Sequence, residues 1–152
     1  MMKTLIARST VLALATLIAS AVRAQTATVS ASDAWVREVP AGRGTTGMFV
    51  VLKNGGTAER KIVRGKADVG DTLELHEMKN ENGMMRMSPV QAISIPAGGE
   101  TALRPGGYHL MLFGLKKPLT VGDTVRATLT FDDGSPVRVV APVRHMGGGR
   151  MP

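Results

Sequence analysis

An all-β sandwich or barrel is the fold class this sequence predicts, and three observations predict it. Short runs rich in Val, Thr, Leu and Ile recur at roughly 8–12-residue spacing, the rhythm of sheets built from hairpins. Turn residues punctuate them at Asn54-Gly55-Gly56, Asn82-Gly83, Pro96-Ala97-Gly98-Gly99, Pro105-Gly106-Gly107 and Asp132-Asp133-Gly134. Past the N-terminal segment no stretch sustains a helical period, and there is no internal repeat.

The first element in order is not part of that sheet. Met1 to Arg8 carries Lys3 and Arg8 and no acid, and Ser9 to Val22 is uncharged and mostly Ala, Leu, Val and Ile. Val22-Arg23-Ala24 then places small residues where a signal peptidase reads them. This pattern predicts an export signal over residues 1–24, cleaved after Ala24 with Ala21 as second choice. The apolar run is too short, and too soon followed by polar chain, for a membrane span. No stable membrane insertion is expected after cleavage, and no Cys is available for lipidation.

One domain is expected over residues 25–146. Its predicted strands are Val29–Arg37, Gly47–Lys53, Arg60–Lys66, Thr72–Met78, Met84–Met87, Ala92–Ile95, His109–Leu115, Thr124–Phe131 and Val137–Val143. Alternation is cleanest in Thr124–Phe131, where Val125, Ala127, Leu129 and Phe131 should face the core. Residues 147–152 read as a loose, glycine-rich end.

Charge and composition remove several function classes. The full chain is +7, but Lys3, Arg8 and Arg23 leave with the signal, so Gln25–Pro152 holds 16 basic and 12 acidic residues, or +4. The remaining cations are scattered without interleaved aromatics, which argues against nucleic acid as a partner. With no Cys in an exported chain, stability must come from the core. There is also no thiol nucleophile, no CxxC redox pair and no thiolate for a blue-copper centre. No hydrolase elbow surrounds a Ser, Asp132-Asp133-Gly134 lacks the rest of a calcium loop, and no P-loop Lys follows a Gly-rich turn. Nothing in the chain points to an enzyme.

One constellation does carry chemistry: His76, Met87, His109 and Met111, in the spacing His-x10-Met-x21-His-x-Met. Only three His occur in the chain. His109 and Met111 are two apart, so on a strand both leave the same face. Thioethers are soft neutral donors and imidazoles borderline ones; together they suit Cu(I) better than Zn(II), and far better than Mg(II) or Ca(II). His76 and Met87 fall near the ends of successive strands flanking a loop at Lys79–Gly83, so convergence at one pole of the sandwich is expected. Met48 reads as core. Met85 has the parity of Met87, and Met78 that of His76, so both stand as accessory candidates. His145 and Met146 form a second, weaker accessory pair after the last strand. Trp35, the sole Trp, is expected in the core or at the sandwich edge.

Ala34-Trp35-Val36-Arg37, the His76/Met87/His109/Met111 spacing, and the run Leu103-Arg104-Pro105-Gly106-Gly107-Tyr108-His109-Leu110-Met111-Leu112 together resemble the periplasmic copper chaperones of the PCu(A)C family. Leu119-Thr120-Val121-Gly122-Asp123 and Leu129-Thr130-Phe131 extend the likeness over about Val29 to Val143. The resemblance implies a cupredoxin-like Greek-key β-sandwich that holds Cu(I) through His76, Met87, His109 and Met111. It further implies a periplasmic carrier that passes copper to a Sco-type protein or to the copper-centre subunit of cytochrome c oxidase. Glu77 stands where some members have a Met directly after the first His. A copper-buffering or resistance protein would need the same site. An electron-transfer cupredoxin is disfavoured by the missing Cys, and a metal-free secreted sandwich remains as the bland alternative.

Overall fold

The structure, a computed structural model, describes residues 28–146; the expected export signal and residues 147–152 lie outside the described residues. Ten strands make up the fold: β1 (Val29–Arg37), β2 (Thr45–Asn54), β3 (Arg60–Ala67), β4 (Thr72–Glu81), β5 (Met84–Pro89), β6 (Ile93–Ile95), β7 (Glu100–Leu103), β8 (Tyr108–Phe113), β9 (Thr124–Phe131) and β10 (Pro136–Arg144). All nine expected strands are present. Two have the expected bounds, and the others differ by one to three residues at one or both ends. The unexpected strand is β7, a four-residue piece recruited by pairing with the long β2, Val50 opposite Leu103 through Lys53 opposite Glu100.

The hydrogen-bonded order is β5-β4-β8-β2-β1-β10-β9-β3-β6, with β7 also on β2. A further pairing, Gly65 opposite Leu73, joins β3 to β4 and closes the run from β4 round to β3. The sandwich is therefore closed like a barrel, and β5 hangs from β4 as a free edge. Closure needs a bare backbone at Gly65: a Cβ there would meet Leu73 Cδ2 at 2.7 Å and Leu129 Cδ2 at 2.9 Å. β8 lies between β2 and β4, a non-sequential placement, and β1 runs parallel to β10.

Strand alternation splits each strand between two faces. Inward go Val36 on β1, Met48, Val50 and Leu52 on β2, Leu73 and Leu75 on β4, and Leu110 and Leu112 on β8. Val125, Ala127, Leu129 and Phe131 on β9 join Val137, Val139, Ala141 and Val143 on β10. Met48 and the β9 series sit in the core as expected.

The β4–β5 connection is tighter than the expected Lys79–Gly83 loop. β4 runs on to Glu81, and only Asn82-Gly83 forms the turn. Both residues have positive φ, 54° and 83°, the type I′ geometry that matches strand twist and that Asn-Gly adopts at little cost. Asn54, at the end of β2, is fully buried and polar. Its Nδ2 donates to the Ala58 and Ile95 carbonyls at 2.8 and 3.2 Å, and its Oδ1 accepts from the Gly56 N–H at 2.9 Å. Asn54→Ala should lower unfolding free energy by about 1–3 kcal/mol in a denaturant melt, since buried backbone groups lose their partners. An unchanged midpoint would show that the loop holds itself without Asn54.

Candidate metal centre

The four predicted ligands lie on one face of the sheet, opposite the core. In the β4–β8 register His76 is directly opposite His109, and Glu74 opposite Met111. In the β4–β5 register Met78 is opposite Met87, and His76 opposite Pro89. Three neighbouring strands thus present Met87, then Met78 and His76, then His109 and Met111, side by side. β4 extends well past His76, which puts the set on the open sheet face beside the β5 edge.

An aromatic row adjoins the set. Ring centroids step from Trp35 to Phe49 (4.5 Å), Phe49 to His109 (6.3 Å), His109 to His76 (5.9 Å) and His76 to Phe113 (6.0 Å). A register shift between Ser32 and Trp35, with Asp33 at φ 49°, sets Trp35 opposite Phe49. Trp35 therefore packs on the site's face, half-buried, rather than in the core. These rings leave His76 and His109 only 7% and 5% exposed, although neither points into the core.

The imidazole nitrogens are differentiated. His109 Nδ1 is 2.9 Å from the Gly107 carbonyl, which can only accept, so Nδ1 carries the proton. Nε2 is then a bare lone pair, 3.2 Å from Met87 Sδ. At that separation the two donors could reach one shared ion. His76 Nε2 is 2.9 Å from Glu74 Oε2, while its Nδ1 is buried with no hydrogen-bond partner. An orphaned buried polar atom costs about 1–3 kcal/mol.

Met78, Met87, His109 and Met111 line an open cleft of about 610 Å³, together with Gly47 and Phe49. His76 sits beside His109 and outside the cleft wall. Met85 shares the face of Met87 one step nearer the turn, exposed and outside the wall. Across the cleft stand Glu38, His145 and Met146, with His145 Nδ1 bonded to the Glu38 carboxylate. The accessory candidates Met78, His145 and Met146 thus meet the quartet's cleft, while Met85 flanks it.

The other face of the β4–β5 hairpin is charged, with Lys79 paired to Glu77 at 2.9 Å and Arg86 to Glu81 at 3.3 Å. The hydrogen bond to Glu77, reinforced by its charge, holds the Lys79 ammonium above its ordinary pKa. Glu77 therefore points away from the ligand face. Among the described residues no three His, Cys, Asp or Glu come together to hold a metal ion. Sequence reasoning missed Glu74, Glu38 and the aromatic row. Glu74 alone left a signal, since Glu-x-His on a strand puts both side chains on one face.

Fold and site together define a closed β-sandwich with a soft-donor face, and known proteins place it more narrowly. Residues 29–143 match the LpqE-like family, described as "Putative lipoprotein LpqE-like", and the chain belongs to that family. "Putative lipoprotein Lxx21020" of Leifsonia xyli subsp. xyli is 40% identical over 121 residues, 79% of this chain and 72% of that protein. DR1885 of Deinococcus radiodurans, solved in apo and CuI forms, is 32% identical. Its apo structure superposes with a TM-score of 0.62 over 98% of this chain and 100% of that one. The copper-bound PCuAC domain of PmoF2 is 19% identical with a TM-score of 0.66, covering 78% of this chain and 94% of that one. The fold is the cupredoxin-like β-sandwich of PCuAC domains, as the sequence resemblance implied.

Gly47 faces the cleft opposite Met111, and a Cβ there would meet Phe49 Cζ at 3.0 Å. Gly47→Val should therefore fold but crowd the cleft, weakening uptake of the soft probe ion Ag(I) about tenfold, the scale on which disturbed ligand support is felt. Undiminished Ag(I) affinity in a competition titration would mean that the cleft is not the entry route.

Proposed function

We propose that this protein is a Cu(I) carrier of the bacterial periplasm, exported by its N-terminal segment and holding copper through His76, Met87, His109 and Met111. The observation that carries the reading is the register: the two His are direct cross-strand neighbours, and Met87 Sδ stands 3.2 Å from the free nitrogen of His109. The 32% identity to DR1885, which has a CuI form, supports copper as the cargo. The donor set agrees, because two thioethers and two imidazoles are neutral, soft to borderline ligands. The family's description as a lipoprotein supports export; the present 152 residues contain no Cys to carry a lipid.

No bond change in a substrate is assigned to the site. All four donors are exchangeable and none is a reactive thiolate. A partner offering Cys or Met donors takes the ion by stepwise replacement, entering at the exposed Met87 and moving inward to the buried His pair. The recipient is a copper-accepting protein of cytochrome c oxidase assembly, a Sco-type protein or the copper-centre subunit itself. A buffering protein without a recipient would use the same site. Deleting the gene separates them: lost oxidase assembly at low copper supports delivery, and copper sensitivity alone supports buffering.

Cu(I) titration of the purified protein against a competing chelator tests the site. One equivalent should bind, and His76→Ala or His109→Ala should weaken it by more than the roughly 10–100-fold typical of an outer-shell change. Met85→Ala should have little effect, and equal losses for Met85 and His109 would refute the assignment. Affinity should also fall on acidification, because a protonated imidazole cannot ligate. Affinity independent of pH would remove the two His.

A further inference from the structure

The two imidazoles of the quartet meet their hydrogen-bond acceptors through opposite nitrogens, and the acceptor beside one of them is a carboxylate no sequence pattern assigned to the site. Glu74 lies on the same face of β4 as His76, two residues before it, and directly opposite Met111 of β8. Its side chain is 45% exposed, while that of His76 is 9% exposed, so a solvated carboxylate reaches in to a buried ring. Glu74 Oε2 and His76 Nε2 are 2.9 Å apart. An ionised carboxylate only accepts, so Nε2 carries the proton and donates it. Nδ1 is buried and without a partner, and in the neutral ring it is a bare lone pair. His109 has the reverse arrangement, with Nδ1–H spent on the Gly107 carbonyl and Nε2 free beside Met87 Sδ.

We propose that Glu74 is a positioning residue for copper: it locks His76 as the Nε2–H tautomer, so that this His offers copper Nδ1 while His109 offers Nε2. The proposal rests on the copper reading above. Its chemistry is that of a ligating imidazole whose second nitrogen is tied to a carboxylate, which fixes ring orientation and raises donor basicity. The orphaned Nδ1 then has an assigned partner, the ion. The carboxylate also supplies negative charge one bond network away from the ion, leaving the four donors themselves neutral.

Long-range proton–nitrogen NMR of the imidazoles tests this directly. In the apo protein His76 should show a protonated Nε2 and a bare Nδ1, and His109 the opposite. On loading one equivalent of Cu(I), the Nδ1 resonance of His76 and the Nε2 resonance of His109 should move. Glu74→Ala should mix the His76 tautomers and weaken Cu(I) about tenfold, within the range for removing a ligand's outer-shell partner. Glu74→Gln, whose amide oxygen still accepts from Nε2–H, should restore most of that loss. Glu74 is a surface side chain, and an unchanged melt of Glu74→Ala would separate the effect from misfolding. Movement of the His76 Nε2 resonance instead, or full Cu(I) affinity in Glu74→Ala beside a weakened His76→Ala, would overturn the positioning role alone. Full affinity in His76→Ala would overturn the quartet itself, and this role with it.

Discussion

The pairing of His76 with His109 across β4 and β8 is the constraint on which the site depends. Strand alternation makes it a two-sided commitment. The register that sets Leu75 opposite Leu110 and Leu73 opposite Leu112 inside the core also sets His76 opposite His109 outside it. A one-residue slip of β4 would expose its leucines and bury Glu74 and His76 among aliphatic chains. Core packing therefore fixes the geometry of the outer face, and the candidate site needs no disulfide to keep its shape. The Asn82-Gly83 turn extends the same control to β5, because a two-residue type I′ turn leaves one register, with Met78 facing Met87.

Within that frame the ligands differ in how firmly they are held. His109 is tied to the Gly107 carbonyl and flanked by Phe49; His76 is tied to Glu74 and flanked by Phe113. Met87 is about half exposed, on an edge strand whose other methionines, Met84 and Met85, are more exposed still. The arrangement is a graded one, with buried imidazoles, a half-buried Met111 and an exposed Met87. Such grading would suit the proposed carrier, which must keep an ion and then surrender it. In the proposed carrier, the Met87 thioether on the edge strand would be the first donor a partner meets and the imidazoles the last to release. The cleft's far wall, where Glu38 bonds His145 beside Met146, narrows the approach from the other side.

Much of this was legible in the sequence, for identifiable reasons. Thr124–Phe131 alternates cleanly because both its neighbours in the sheet are long strands, and it has the expected bounds. His109-x-Met111 announced a shared face, since period two needs no tertiary information. Asn82-Gly83 announced its turn. What was not legible depended on pairing. β7 has no strong pattern of its own and exists because β2 is long enough to receive it. His76 looked terminal because charged Lys79 and Glu81 disguise the outer half of β4, where one face bears ion pairs and the other Met78. Glu38 and His145 are 107 residues apart, and only the parallel pairing of β1 with β10 brings them together. Trp35 was expected at the core or edge, and a local bulge turned it onto the ligand face.

X-ray absorption at the copper edge of the Cu(I)-loaded protein is the most direct test of a quartet site. Two nitrogen and two sulfur scatterers at bonding distance, with one sulfur lost in Met87→Ala and one nitrogen lost in His109→Ala, is the predicted result. A first shell of nitrogen and oxygen alone, or one unaltered by both substitutions, would contradict it.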